Sequence, residues 1–92
     1  MTWHVYIVEC ADHTLYTGIT SDLDRRIAAH NAGTSGAKYV RSRRPVTLCY
    51  SRLFADRGLA LKEEFRIKQL SRVAKLALIL NPNEALLRSL IV

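Results

Sequence analysis

Arg26 and His30 stand four positions apart in Leu23-Asp24-Arg25-Arg26-Ile27-Ala28-Ala29-His30. On a helix, side chains at that spacing share a face, and a shared face is what a guanidinium and an imidazole need if both are to hold one phosphate. Further along, Lys38-Tyr39-Val40-Arg41-Ser42-Arg43-Arg44 sets cations around one aromatic ring, a combination suited to phosphates and an unstacked base. A solvated basic loop would have the same composition. Glu64 and Lys68 repeat the four-residue spacing, enough for a surface ion pair worth roughly 0.2–0.5 kcal/mol. Tyr6 and Tyr16 lie in β-rich runs, where aromatic residues mostly pack in the core, so any chemistry of theirs depends on what else reaches them.

These groups must be positioned by short elements. From Trp3 to Cys10 the residues are densely apolar and β-forming, and the run stops at Ala11-Asp12-His13. Leu15-Tyr16-Thr17-Gly18-Ile19-Thr20 follows so closely that the two runs should pair as an antiparallel hairpin. Asp12-His13 is a poorer turn than Asp-Gly because His adopts positive φ less readily, so the turn type stays open. Ser21 or Asp22 can cap a helix with Leu23, Ile27 and Ala28 at helical spacing, and Gly33 ends it. Residues 33–45 have little periodicity and read as a surface loop. A third strand runs from Val46 to Phe54, a helix covers Leu59 to Leu70, and Ser71 caps another through Val73, Leu76 and Leu80, ending before Asn81-Pro82. The tail from Glu84 to Val92 is helical in composition and apolar at Leu86, Leu87, Leu90 and Ile91. Strands first and helices mostly afterwards predict an α+β fold, a three-stranded antiparallel sheet with flanking helices.

A chain of 92 residues allows one domain over residues 1–92 with a modest core. Its formal charge is +6, and seven Lys and Arg against Asp22 and Asp24 leave +5 between Ser21 and Arg52. An excess so placed attracts polyanions, nucleic acid first among them. No apolar run approaches the roughly 20 residues of a membrane-spanning helix, and the N-terminus lacks the basic and apolar regions of a secretory signal. A cytoplasmic location is expected. Cys10 and Cys49 form no CxxC pair and are expected to be free, buried thiols on strands.

Val5-Tyr6-Ile7 and Tyr16-Thr17-Gly18 resemble the paired motifs of the GIY-YIG nucleases. The segment from Leu23 to His30 looks like that family's Leu-x-x-Arg-x-x-x-His helix, and Glu64-Phe65-Arg66-Ile67-Lys68 like its Glu-containing helix. Order and spacing agree over nearly the whole chain, which is most similar to the small single-domain members of UPF0213 type. Homing endonucleases and the repair nuclease UvrC carry such a domain joined to other modules.

The resemblance implies metal-dependent hydrolysis of phosphodiesters in DNA with one divalent ion, Mg2+ or Mn2+, on Glu64. A single carboxylate suffices because a hard cation keeps several waters and also takes substrate phosphate. Arg26 would neutralise charge growing on the phosphoryl oxygens, and Tyr6 and Tyr16 would position or deprotonate the attacking water, with help from Arg26, His30 or the metal. Spacing leaves the choice of phenol open; the place of Tyr16 beside Gly18, where backbone can approach closely, favours Tyr16. Lys38, Arg41, Arg43, Arg44 and Lys68 are the expected nucleic-acid contacts, and Asn81 is a weaker candidate that reads equally as a helix-ending residue. His4 replaces the glycine of the first motif, and Ile19 stands where some relatives place lysine, a part that would then fall to His30 or Lys38. Few residues look able to read bases, so low sequence preference and a role in DNA repair or recombination are expected. The alternatives are a non-catalytic nucleic-acid-binding module of the same fold, or an interaction protein that docks or self-associates through the C-terminal helix.

Overall fold

β1 (Trp3–Glu9) is the middle strand of a three-stranded sheet in the computed structural model, which describes residues 1–33 and 38–82. β2 (Leu15–Thr20) and β3 (Thr47–Phe54) flank it, both antiparallel. A central strand covered on both faces needs apolar residues at every position rather than at alternate ones, and Val5, Tyr6, Ile7 and Val8 are all buried. Val5 and Ile7 pack with Tyr50, Ala60, Ile67 and Leu78. Tyr6 and Val8 project oppositely and pack with Val40 and Val46, with Leu23, Ile27 and Tyr16 at the margin.

The helices follow from these two faces. α1 (Leu23–Ala32) is capped by Asp22, whose carboxylate accepts from the Arg25 N–H at 3.2 Å, and it ends at Gly33 with φ 72°. α3 (Arg57–Lys68) starts two residues before the expected Leu59 because Asp56 supplies the cap, accepting from the Leu59 N–H at 2.9 Å, and it stops two residues short of Leu70. α4 (Arg72–Leu80) is capped by Ser71 and closed by Asn81. α1 thus lies on the Tyr6 face, and α3 and α4 lie on the Val5 face. Among the described residues no helix is long and apolar enough to cross a membrane.

The sequence reading needs two corrections, and the turn type it left open is now defined. Residues 33–45 are not wholly surface loop: Lys38–Arg41 form a short helix, α2, anchored by Val40, which is fully buried against Tyr6 and Val8. One buried side chain in a four-residue helix leaves no periodicity to read. The β1–β2 turn does place His13 at positive φ, 66°, with Asp12 accepting from the Thr14 N–H at 3.1 Å. Local side-chain bonding of this kind supports a conformation that L-residues otherwise avoid. Of the two free cysteines, Cys10 is buried just beyond the end of β1, whereas Cys49 on β3 is only partly buried. The tail expected to be helical, Glu84 to Val92, lies outside the described residues.

Candidate active site

Tyr6 reaches from the middle of β1 over its neighbour Gly18, the residue paired with it on β2. A Cβ at position 18 would lie 2.6 Å from the Tyr6 hydroxyl and 2.8 Å from Cζ. Gly18 is therefore required by the protein's own phenol, quite apart from any approaching phosphate. The ring so placed brings its hydroxyl 2.8 Å from His30 Nε2 and 3.5 Å from Arg26 Nε. One helical turn of α1 thus supplies two partners to one oxygen.

Guanidinium only donates, so the phenol oxygen accepts from Arg26, and towards His30 Nε2 the hydroxyl donates or accepts according to the imidazole tautomer. The other ring nitrogen of His30, Nδ1, is buried and has no hydrogen-bond partner among the described residues. Burial, then the positive charge of Arg26, lowers the His30 pKa below its ordinary value, so the imidazole is neutral at pH 7. Burial raises the Tyr6 pKa; the Arg26 hydrogen bond opposes this, and the charges of Tyr16 and Glu64 add to it.

Tyr16 packs T-shaped with the His30 ring, with centroids 5.7 Å apart and planes at 73°. On β2 it also stacks near-parallel with Tyr39 of α2, at 6.1 Å and 19°. The Arg43 guanidinium lies 3.9 Å from the centroid of Tyr39 and pairs with Asp12 at 3.1 Å. The site is therefore walled by rings that continue from Tyr6 to an arginine tied to the β1–β2 turn.

Glu64 comes from α3, on the other face of the sheet. Its side chain is 19% exposed and pairs with Lys68 at 3.4 Å through Oε2. Lys68, Lys75, Leu15, Tyr16, Thr17 and Tyr39 line a cavity of about 320 Å3 beside the free edge of β2. Adjacent Glu63 has a different task. It is buried and bound by Arg52 at 3.2 Å and by Arg66, and the hydrogen bond from Arg66 is the main cause of its lowered pKa.

Tyr6, Tyr16, Arg26 and His30 are thus one contact group, and the charge of Glu64 is felt at Tyr6. The expected nucleic-acid contacts disperse. Lys68 borders the β2-edge cavity, whereas Arg43 is engaged with Asp12, the Tyr39 carbonyl and the Tyr39 ring. Arg41 and Arg44 border a separate cavity of about 480 Å3 with Asn31, Ser42 and Pro45. Lys38 is exposed, and Asn81 serves as the α4 cap. Lys75 was not foreseen; a lone lysine inside the otherwise apolar Val73-Ala74-Lys75-Leu76-Ala77-Leu78 was the available signal.

The sequence profile of the GIY-YIG catalytic domain matches residues 2–77. The chain belongs to the GIY-YIG family. A UPF0213 protein of Desulfotalea psychrophila is 56% identical over 77 residues, covering 84% of this chain and 70% of that one. A UPF0213 protein of Halobacterium salinarum is also 56% identical, over 75 residues, covering 82% and 96%. The solution NMR structure of the UPF0213 protein BH0048 from Bacillus halodurans is 44% identical, covers 86% of this chain and 83% of its own, and superposes with a TM-score of 0.56. The three-stranded antiparallel α+β fold is thus shared with a GIY-YIG relative of UPF0213 type. Membership makes this a nuclease family and nucleic acid the general class of ligand.

Proposed function

We propose that this chain is a metal-dependent endonuclease that hydrolyses phosphodiester bonds in DNA with little sequence preference, on branched or damaged substrates of the kind handled in repair. The observation that carries the reading is the Tyr6–His30 hydrogen bond with Arg26 on the same phenol oxygen. It favours Tyr6 over Tyr16 as the group that handles the proton. In this reading His30 takes the tautomer whose Nε2 carries no hydrogen, and as a water oxygen attacks phosphorus, Tyr6 Oη takes the water proton while its own proton passes to Nε2. The P–O3′ bond breaks with its electron pair on O3′, which takes a proton from solvent, and Arg26 offsets charge on the phosphoryl oxygens.

Glu64 fits a divalent ion: it is a hard oxygen donor, partly buried, with a charge that reaches Tyr6, and its pairing with Lys68 involves Oε2. A bound ion supplies stabilisation of the leaving oxygen.

A competing reading, a module that binds without cutting, draws on the burial of Tyr6, which is only 1% exposed. Nicking of duplex, flap and branched DNA with and without magnesium separates the two. Magnesium-dependent nicking that Glu64→Gln abolishes while binding persists is the expected result. Binding without nicking on every substrate establishes the non-catalytic module.

A further inference from the structure

The cavity beside β2 lies outside the proton path just described. We propose that it holds one unpaired nucleotide of the bound strand, its base against the wall made by Tyr16 and Tyr39 and its phosphate between Lys68 and Lys75. The inference rests on the reading of this chain as a nucleic-acid-binding protein, but not on cleavage.

Its lining sets two tyrosines and two lysines beside Leu15 and Thr17 and contains no acidic residue. Aromatic walls accept any base, and ammonium groups accept phosphate, so the combination selects a nucleotide over a purely apolar or purely anionic ligand. A volume of about 320 Å3 lies at the small end of ligand sites, which run from about 300 to 1,000 Å3. That is room for one nucleotide unit and not for a duplex. A base already stacked and paired could not turn its ring to the tyrosines, so the occupant has to be unpaired.

Lys75 is the informative residue. It is partly buried on α4, where the following residues up to Leu80 carry no charge. No carboxylate among the described residues pairs with it. A lysine so placed can lay its four-carbon stem along apolar surface and present its ammonium to the cavity it lines. Lys68 shares its charge with Glu64, which joins this cavity to the proposed metal ligand by a single ion pair. A nucleotide seated there would therefore neighbour the phosphate to be cut.

The test measures binding of a fluorescent ten-nucleotide single strand and of a blunt duplex in EDTA, across a salt series, by anisotropy. For the single strand, Lys75→Ala should weaken binding and flatten the log-log salt slope by about 0.7, the value for one phosphate contact. Lys75→Arg should restore the slope. Tyr39→Leu should weaken binding by about fivefold or more with the slope unchanged, since base stacking on one aromatic residue is worth about 1–3 kcal/mol. Blunt duplex should respond little to any of the three.

Amide spectra establish that each variant is folded. An unfolded Lys75→Ala leaves the Tyr39→Leu and Lys75→Arg arms to decide. An unchanged slope in folded Lys75→Ala, no weakening in Tyr39→Leu, or equal losses on duplex and single strand would overturn the proposal. So would a free nucleoside monophosphate that binds as tightly as the strand. Wild-type protein that binds neither DNA fails the underlying reading itself, whereas the presence or absence of nicking with magnesium bears only on cleavage.

Discussion

At the scale of single residues, the Tyr6 hydroxyl bonds to a neutral imidazole whereas Tyr16 meets that imidazole only in a T-shaped ring contact. Tyr6→Phe should therefore slow single-turnover nicking by about 10² to 10⁴-fold, the usual contribution of a positioned acid or base, with Tyr16→Phe well below that. Equal small losses would make both tyrosines packing residues. His30 gives the same path a pH signature. Because its pKa is lowered on folding, the imidazole is neutral at pH 7, and nicking should be flat near neutrality and fall only as pH drops through the depressed pKa. Stability changes in the same direction. The unfolded chain takes up a proton near pH 6.5 and the folded one lower, so the free energy of unfolding should decline as pH falls below about 6.5. Urea midpoints between pH 7.5 and 5 would reveal it, and His30→Asn should remove that part of the decline. The sequence disclosed which residue types assemble here. It could not rank the phenols, because the ranking depends on which ring crosses Gly18.

At the scale of elements, the most legible part was the one-face spacing of Arg26 and His30, since a helix converts sequence separation directly into proximity. Gly18 illustrates what spacing withholds. Its place in a strand suggested an open approach for backbone, whereas the space is filled by Tyr6. Gly18→Ala should push the phenol off His30, weakening nicking much as Tyr6→Phe does and costing about 1–3 kcal/mol of stability through overpacking. A thermal melt and a nicking assay on the same preparation would show whether the two losses travel together. α2 was illegible because its formation depends on one buried valine meeting Tyr6 and Val8 from far along the chain. Its neighbour Arg43 is bonded to Asp12 and Tyr39, and the Ala11 N–H donates to the Arg43 carbonyl at 2.9 Å. Arg43→Ala should thus alter the salt slope of DNA binding less than Arg41→Ala, and its main effect should be a lower melting temperature.

For the whole molecule, the sheet separates two kinds of work. The Tyr6 face carries the proposed proton path, the Val5 face carries an apolar core, and α3 joins the two through Glu64, whose partner Lys68 borders the cavity beside β2. Charge and fold class were readable at this scale because both are sums over many residues. The split between Glu63 and Glu64 was only half readable: a helix turns about 100° per residue, which separates them but does not say that Glu63 meets Arg52 from β3. Glu63→Gln should lower stability by about 1–2 kcal/mol by weakening hydrogen bonds to charged groups, leaving the nicking rate per folded molecule unchanged. Denaturation midpoints beside active-site titration would check both halves.

The strand order β2-β1-β3 also sets which amides are released to solvent first. β1 is hydrogen-bonded on both sides and buried on both faces, so its amide hydrogens should exchange with deuterium only through global unfolding, whereas those on the outward edge of β2 and in the four-residue α2 should exchange through small local openings. Tyr6 is thereby carried on the part of the molecule expected to exchange slowest, whereas Tyr16 of β2 and Val40 of α2, which pack in the same cluster, sit on parts expected to open cheaply. A local fluctuation of those two elements should therefore admit water to the buried hydroxyl while the strand that fixes its position stays closed.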